Sequence, residues 1–193
     1  MGLHELILTE KDFEDRSFKN SNLIDVFIDM DGVLADFQNS KHFHKMDRIQ
    51  RKPPRMYEVG FFETLDVLPG ARWAIRVLLK NPQLRLHILT KPVTNSYNCY
   101  SEKVAWIGKN FPELLDKMMI VHDKYYLSQY GRILIDDHAP EWKEPWESTG
   151  GTFIHFRSDD SARHWVEICA RLNPDYFNME HVDPKTYDLS EVL

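Results

Sequence analysis

The apolar positions of this chain fall in short blocks whose spacing changes along its length. Residues 23–30, LIDVFIDM, are almost unbroken apolar and rich in β-branched side chains, the pattern of a strand buried on both faces of a parallel sheet. Further strands are predicted at 84–90 (LRLHILT), 118–122 (MMIVH), 132–137 (RILIDD) and 151–156 (GTFIHF). Between them the apolar period lengthens to that of a helix. Helices are expected over 33–50 (Leu34, Phe37, Phe43, Ile49), over 71–81 (Trp73, Ile75, Val77, Leu78), over 101–111 (Val104, Ile107, Phe111) and over 161–172 (Trp165, Cys169, Leu172). RKPPR at 51–55 ends the first of these, since proline cannot continue a helical ladder.

Strands separated by helices are βαβ units, so the pattern predicts an α/β fold with a parallel sheet and right-handed crossovers. Residues 36–70 are too many for a plain βα loop and read as a small helical cap inserted after the first strand. The expected division is a core of 1–35 and 71–193 with a cap at 36–70. The acidic stretch 173–193 is expected to be a C-terminal tail.

Composition narrows the picture. The 193 residues, 42% hydrophobic, are enough for one domain with a core that needs no staples. No apolar run approaches a membrane span, and residues 1–20 lack the basic-then-apolar order of a signal peptide. Two isolated cysteines, Cys99 and Cys169, suit a reducing compartment, so the expected location is cytoplasmic. A formal charge of −6 argues against a polymeric nucleic acid as partner.

Ligands of open α/β sheets bind beyond the carboxyl ends of the strands, so the residues at each strand end carry the functional signal. The first strand ends in Asp29-Met30-Asp31-Gly32, the second in Thr90-Lys91, the third leads to Asp123-Lys124, and the fourth ends in Asp136-Asp137. Each has a plain explanation alone: an Asp-Gly turn, a strand-end hydroxyl, a solvated lysine, a helix N-cap. Together they suit phosphoryl transfer. A carboxylate can attack phosphorus, a Mg²⁺ held by carboxylates and a backbone carbonyl offsets the repulsion of two anions, and a second acid serves the leaving group and then water. The Met30 or Asp31 carbonyl is available for such a metal.

In order, Asp29-x-Asp31-Gly-Val, Thr90, Lys124 and Asp136-Asp137 resemble the four motifs of the haloacid dehalogenase-like phosphohydrolases, over roughly residues 23 to 170. The resemblance implies a Rossmann-like core with Asp29 as nucleophile and Asp31 as general acid/base. It further implies Thr90 and Lys124 at the phosphate, Mg²⁺ held by Asp29, Asp31, Asp136 and Asp137, and Glu141 in support. DMDGVLADF, FFETLDVLPGA, EKVAWI and ILIDD are similar to the 5'(3')-deoxyribonucleotidases. That likeness implies a nucleoside monophosphate substrate with Phe37, Phe61 and Phe62 against the base; cap-core packing of all three is the plainer reading. Lys91 departs from the family, standing where related enzymes tend to carry a small residue, and has two readings: an added phosphate contact, or crowding of the sugar.

Other readings stay open at this level: a phosphatase for another small metabolite, or a phospho-accepting receiver-like module. Receivers, however, place their acid pair before the phosphorylated aspartate, and here the order is reversed. The basic segment 45–55 reads as a solvated cap face or as an attractor of anions. His42 and His44 read as cap residues, His87 and His155 as satisfied strand residues, and Trp142 and Trp146 as packing against the sheet. The cap surface is compatible with a homodimer, with no residue-level argument for one.

Overall fold

The computed structural model describes residues 23–38, 55–179, 188 and 190. Its elements are β1 (Ile24–Ile28), α1 (Ala71–Leu79), β2 (Leu84–Thr90), α2 (Tyr97–Asn110), β3 (Met118–Ile120), β4 (Ile133–Asp136), α3 (Ala139–Glu147), β5 (Thr152–His155), α4 (Ser161–Leu172) and α5 (Pro174–Met179). Every strand pairing is parallel, and the order is β3-β2-β1-β4-β5. The predicted α/β class and parallel sheet are therefore present.

Strand side chains alternate between the two faces of the sheet. Val26, Ile28, Ile88, Ile135 and Ile154 enter a large core with residues of α1, α2 and α4. Phe27, Leu89, Leu134 and Phe153 face the other way, into a smaller cluster closed by Trp142 and Trp146 of α3. Both tryptophans thus pack on the sheet as expected. Burying both faces explains the unbroken apolar reading of 23–30. At the far end of β1, Asp25 accepts from Arg85 at 2.8 and 2.9 Å and lies 2.9 Å from His87 Nε2. Burial raises the Asp25 pKa, but Arg85 and His87 outweigh it and hold the carboxyl below its ordinary value.

The order matters for function. From β1 the chain goes to β2 on one side and later to β4 on the other, so the crevice between the carboxyl ends of β1 and β4 is the switch point of the fold. Asp29 N–H donates to the Ile135 carbonyl at 3.0 Å, fixing the end of β1 beside β4.

Several expectations are corrected. The helix expected from residue 33 does not begin there: 32–34 is a turn, and the Met30 carbonyl accepts from Val33, Leu34 and Ala35. The rest of that expected helix, with His42, His44 and 45–54 of the basic segment, lies outside the described residues. Its flanks meet: Asp36 N–H donates to Asp66 O and Leu68 N–H to Leu34 O, both at 2.8 Å, so the insert leaves and returns at one point. On α2 Ile107 is buried as expected and Phe111 is buried too, but Val104 is not part of the buried face. Val104 is exposed, Phe111 lies past the helix end, and the face is Cys99, Glu102, Lys103, Trp106 and Ile107. The expected tail begins as α5, with Phe177 buried and packed edge-on to Trp73.

Candidate active site

At the switch point a cavity of about 1110 Å³ opens, lined by Asp29, Asp31, Phe37, Lys91, Lys124, Asp137, His138, Glu141 and Trp142 among others. The turn after β1 builds its floor. Gly32 has φ of 76°, a conformation that favours glycine. A β-carbon there would stand 2.3 Å from Asp137 Oδ2. The Asp-Gly dipeptide is therefore both a turn and a contact with the end of β4. The Met30 carbonyl is taken up by its three N–H partners. Of the Met30 and Asp31 carbonyls, that of Asp31 is the better candidate to face a metal.

Two buried lysines organise the acids. Lys124 begins a 3-10 turn after β3, is 1% exposed, and lies 2.8 Å from Asp29 Oδ1 and 2.6 Å from Asp136 Oδ2. The contact with Asp29 is an ion pair and lacks the angle of a hydrogen bond. Burial lowers the Lys124 pKa, and Asp29 and Asp136 more than reverse it, so the ammonium is held above its ordinary range. Lys103, fully buried on α2, donates to Asp31 Oδ2 at 2.5 Å, Thr90 Oγ1 at 2.8 Å and Lys91 O at 2.7 Å.

Asp29, Asp136 and Asp137 bring carboxylate oxygens within 4.8 Å of one another. Asp136 Oδ1 accepts from the His138 N–H at 2.8 Å. Burial, with Asp29 adding, pushes the Asp136 pKa up to about 6 and that of Asp137 to about 7. Burial also raises that of Asp31, with Lys103 opposing and Asp29 adding. Lys124 answers only part of this negative charge. All-oxygen donors in a cluster of uncompensated acids suit a hard divalent cation.

The remaining residues divide between the cavity and its surroundings. Thr90 is buried behind Lys103 and does not line the cavity. Lys91 lines it, 2.5 Å from Glu141 Oε1 and 5.1 Å from the centre of the Trp142 ring. Phe37 lines it as well, whereas Phe61 and Phe62 lie in the core with 4% and 0% exposure. The three rings form one group, with centroids 5.6, 6.2 and 5.0 Å apart. His155 lies outside the cavity, its Nε2 3.1 Å from the Asp137 carbonyl.

Lys103 was missed by the sequence reading, although a signal existed. Cys99, Lys103 and Trp106 fall on one helical stripe, so a cation was placed among apolar positions of α2. His138 was also missed; its contribution is a main-chain N–H, and main-chain donors leave no trace in residue type.

Comparison with known proteins bears on this geometry. Residues 45–172 match the family described as 5' nucleotidase, deoxy (pyrimidine), cytosolic type C protein. The mitochondrial 5'(3')-deoxyribonucleotidase of Mus musculus is 29% identical over 152 residues, covering 64% of this chain and 68% of that one. The cytosolic-type 5'(3')-deoxyribonucleotidase of Homo sapiens is 27% identical over 165 residues, covering 68% and 81%. A solved structure described as a haloacid dehalogenase-like hydrolase, from Burkholderia xenovorans, shares 14% identity over 72% of this chain and 84% of its own, with a TM-score of 0.43.

Proposed function

The chain belongs to the 5' nucleotidase, deoxy (pyrimidine), cytosolic type C family, and on that premise we propose a Mg²⁺-dependent phosphomonoesterase that hydrolyses nucleoside monophosphates, deoxyribonucleotides above all, through an aspartyl phosphate. That it is a phosphoric monoester hydrolase follows from the family. The observation that supports the finer reading is the pairing of two units at the switch point. Asp29, Asp136 and Asp137 gather around Lys124, and Asp31 stands apart on Lys103.

In this reading Asp29 attacks phosphorus as the ester P–O bond breaks, and the leaving oxygen takes the proton of the Asp31 carboxyl. The Asp31 carboxylate then takes a proton from the water that attacks the aspartyl phosphate, releasing phosphate and restoring Asp29. The raised pKa of Asp31 favours the protonated form that the first step needs. Lys103 aims that carboxyl, and Thr90 Oγ1 holds Lys103 in turn. A Mg²⁺ on Asp29, Asp137 and the Asp31 carbonyl, with Asp136 beside them, would offset the charge of an anionic substrate approaching Asp29. Lys91, whose bond to Glu141 is partly exposed and exchangeable, reaches toward the phosphate. Phe37 offers the base an aromatic face, backed by Phe61 and Phe62.

The test is phosphate release with Mg²⁺ from dUMP, dTMP, UMP, 3'-dUMP, a sugar phosphate and p-nitrophenyl phosphate. Deoxynucleotides are expected to react fastest. Asp29→Asn is expected to lower kcat by about four orders of magnitude. Turnover of the sugar phosphate or generic ester alone would leave the phosphatase chemistry and remove the nucleotide.

A further inference from the structure

Resting on the nucleotidase reading above, we propose that Glu102 is the positioning residue for the nucleoside side of the cavity: its carboxylate straps the 60–62 turn to α2 and thereby holds Phe37 in place. Glu102 is 6% exposed on the buried face of α2. Its Oε1 accepts the Gly60 N–H at 2.6 Å and its Oε2 the Phe62 N–H at 3.1 Å, across about forty residues of chain. Two main-chain donors on one ionised carboxylate form a stronger tie than neutral hydrogen bonds would. One turn on, Trp106 Nε1 donates to the Leu65 carbonyl at 2.8 Å, so α2 grips the same return segment twice.

What the strap holds is the aromatic group. Phe61 and Phe62 pack against each other and both touch Phe37, the member of the group that lines the cavity. Gly60 has φ of 85° and nothing within 4 Å of where a β-carbon would stand, so glycine is needed there for its backbone conformation and not for room. The turn is therefore bent to bring its N–H groups onto Glu102. The phosphate side does not depend on the strap. The Phe62 ring lies 4.9 Å from Lys103 Nζ, but Lys103 keeps three oxygen partners of its own.

Glutamine is the informative replacement. It has the same shape but only one acceptor oxygen, and its amide nitrogen would face an N–H, so one buried main-chain donor loses its partner. The experiment measures KM and kcat for dUMP and for β-glycerophosphate, which has no base, in the wild type, Glu102→Gln and Gly60→Ala. Each variant is expected to raise KM for dUMP about tenfold, Glu102→Gln through the loss of one hydrogen bond to a charged group and Gly60→Ala through strain at a positive φ, while both constants for β-glycerophosphate stay near wild type. That constant β-glycerophosphate rate also shows that the fold survives. If Glu102→Gln does not fold, Gly60→Ala carries the test alone, since it leaves the carboxylate in place and strains only the turn. Equal rises in KM for both substrates, or no rise for dUMP, would overturn the strap. A wild type that turns over β-glycerophosphate but no nucleotide would instead overturn the nucleotide reading, and the strap with it.

Discussion

Lys103 shows how one side chain can decide the state of another. Its ammonium is fully buried and meets three oxygens, from Asp31, Thr90 and the backbone of Lys91. Replacing it with methionine keeps an unbranched apolar stem as far as Cε and deletes the ammonium. Asp31 Oδ2 then loses its hydrogen bond, and its other oxygen is already buried without a partner. Breaking a buried pair by removing one member leaves the other uncompensated, so Lys103→Met is expected to cost about 3 kcal/mol in urea unfolding. Its kcat is expected to fall as well, because Asp31 is no longer aimed. Unchanged stability would mean that Asp31 finds water in place of the lysine.

At the scale of an element, the 32–34 turn ties β1 to β4. It lets Asp137 close against the backbone so tightly that a β-carbon at Gly32 would have to displace the Asp137 carboxylate. Gly32→Ala adds strain at a positive φ and pushes Asp137 out of the acid cluster. The expected outcome is a loss of about tenfold or more in Mg²⁺ affinity by calorimetric titration, comparable with the loss of a supporting ligand contact. Intact affinity would place Asp137 outside the metal site. Helix α2 is the other element with a double task. Glu102 accepts from the 60–62 turn and Lys103 donates to Asp31, so neighbouring residues of one helix tie down two separate parts of the chain.

For the whole molecule, the acid cluster sets a dependence on pH. Asp136 and Asp137 have folded-state pKa values of about 6 and about 7, raised chiefly by burial. Their ordinary value is near 4, so the folded state binds these protons more tightly than the unfolded chain does. Their contribution to stability is therefore present below about pH 4 and is lost as pH rises through 6 and 7. A bound divalent cation answers the same charge and needs the ionised forms. Mg²⁺ is accordingly expected to raise Tm more at pH 8 than at pH 5.5. At a hundredfold excess over Kd the stabilisation is about 3 kcal/mol, a shift of roughly 6–10 °C for a chain of this size. Equal shifts at both pH values would show that the cation does not bind this cluster.

The strands could be read from the chain because burial on both faces of a parallel sheet writes itself as unbroken apolar runs, and the strand ends followed from where those runs stop. Asp29, Asp31, Lys124, Asp136 and Asp137 were found that way: topology brings parallel strand ends to one rim whatever the details of packing. The α4 helix was legible over its full length for a related reason, its apolar stripe having no ion in it. Contacts across the chain were not legible. Lys103 and Glu102 drew no attention in the sequence because hydropathy scores a residue by type, while their burial depends on partners some 12 to 72 residues away. The turn at 32–34 looked helical because its apolar residues serve the core, and only packing decides whether such residues arrive there by a helix or by a bend. Phe61 and Phe62 likewise carry no mark that separates a wall from its backing; that distinction belongs to the cavity, which exists only once the chain has folded.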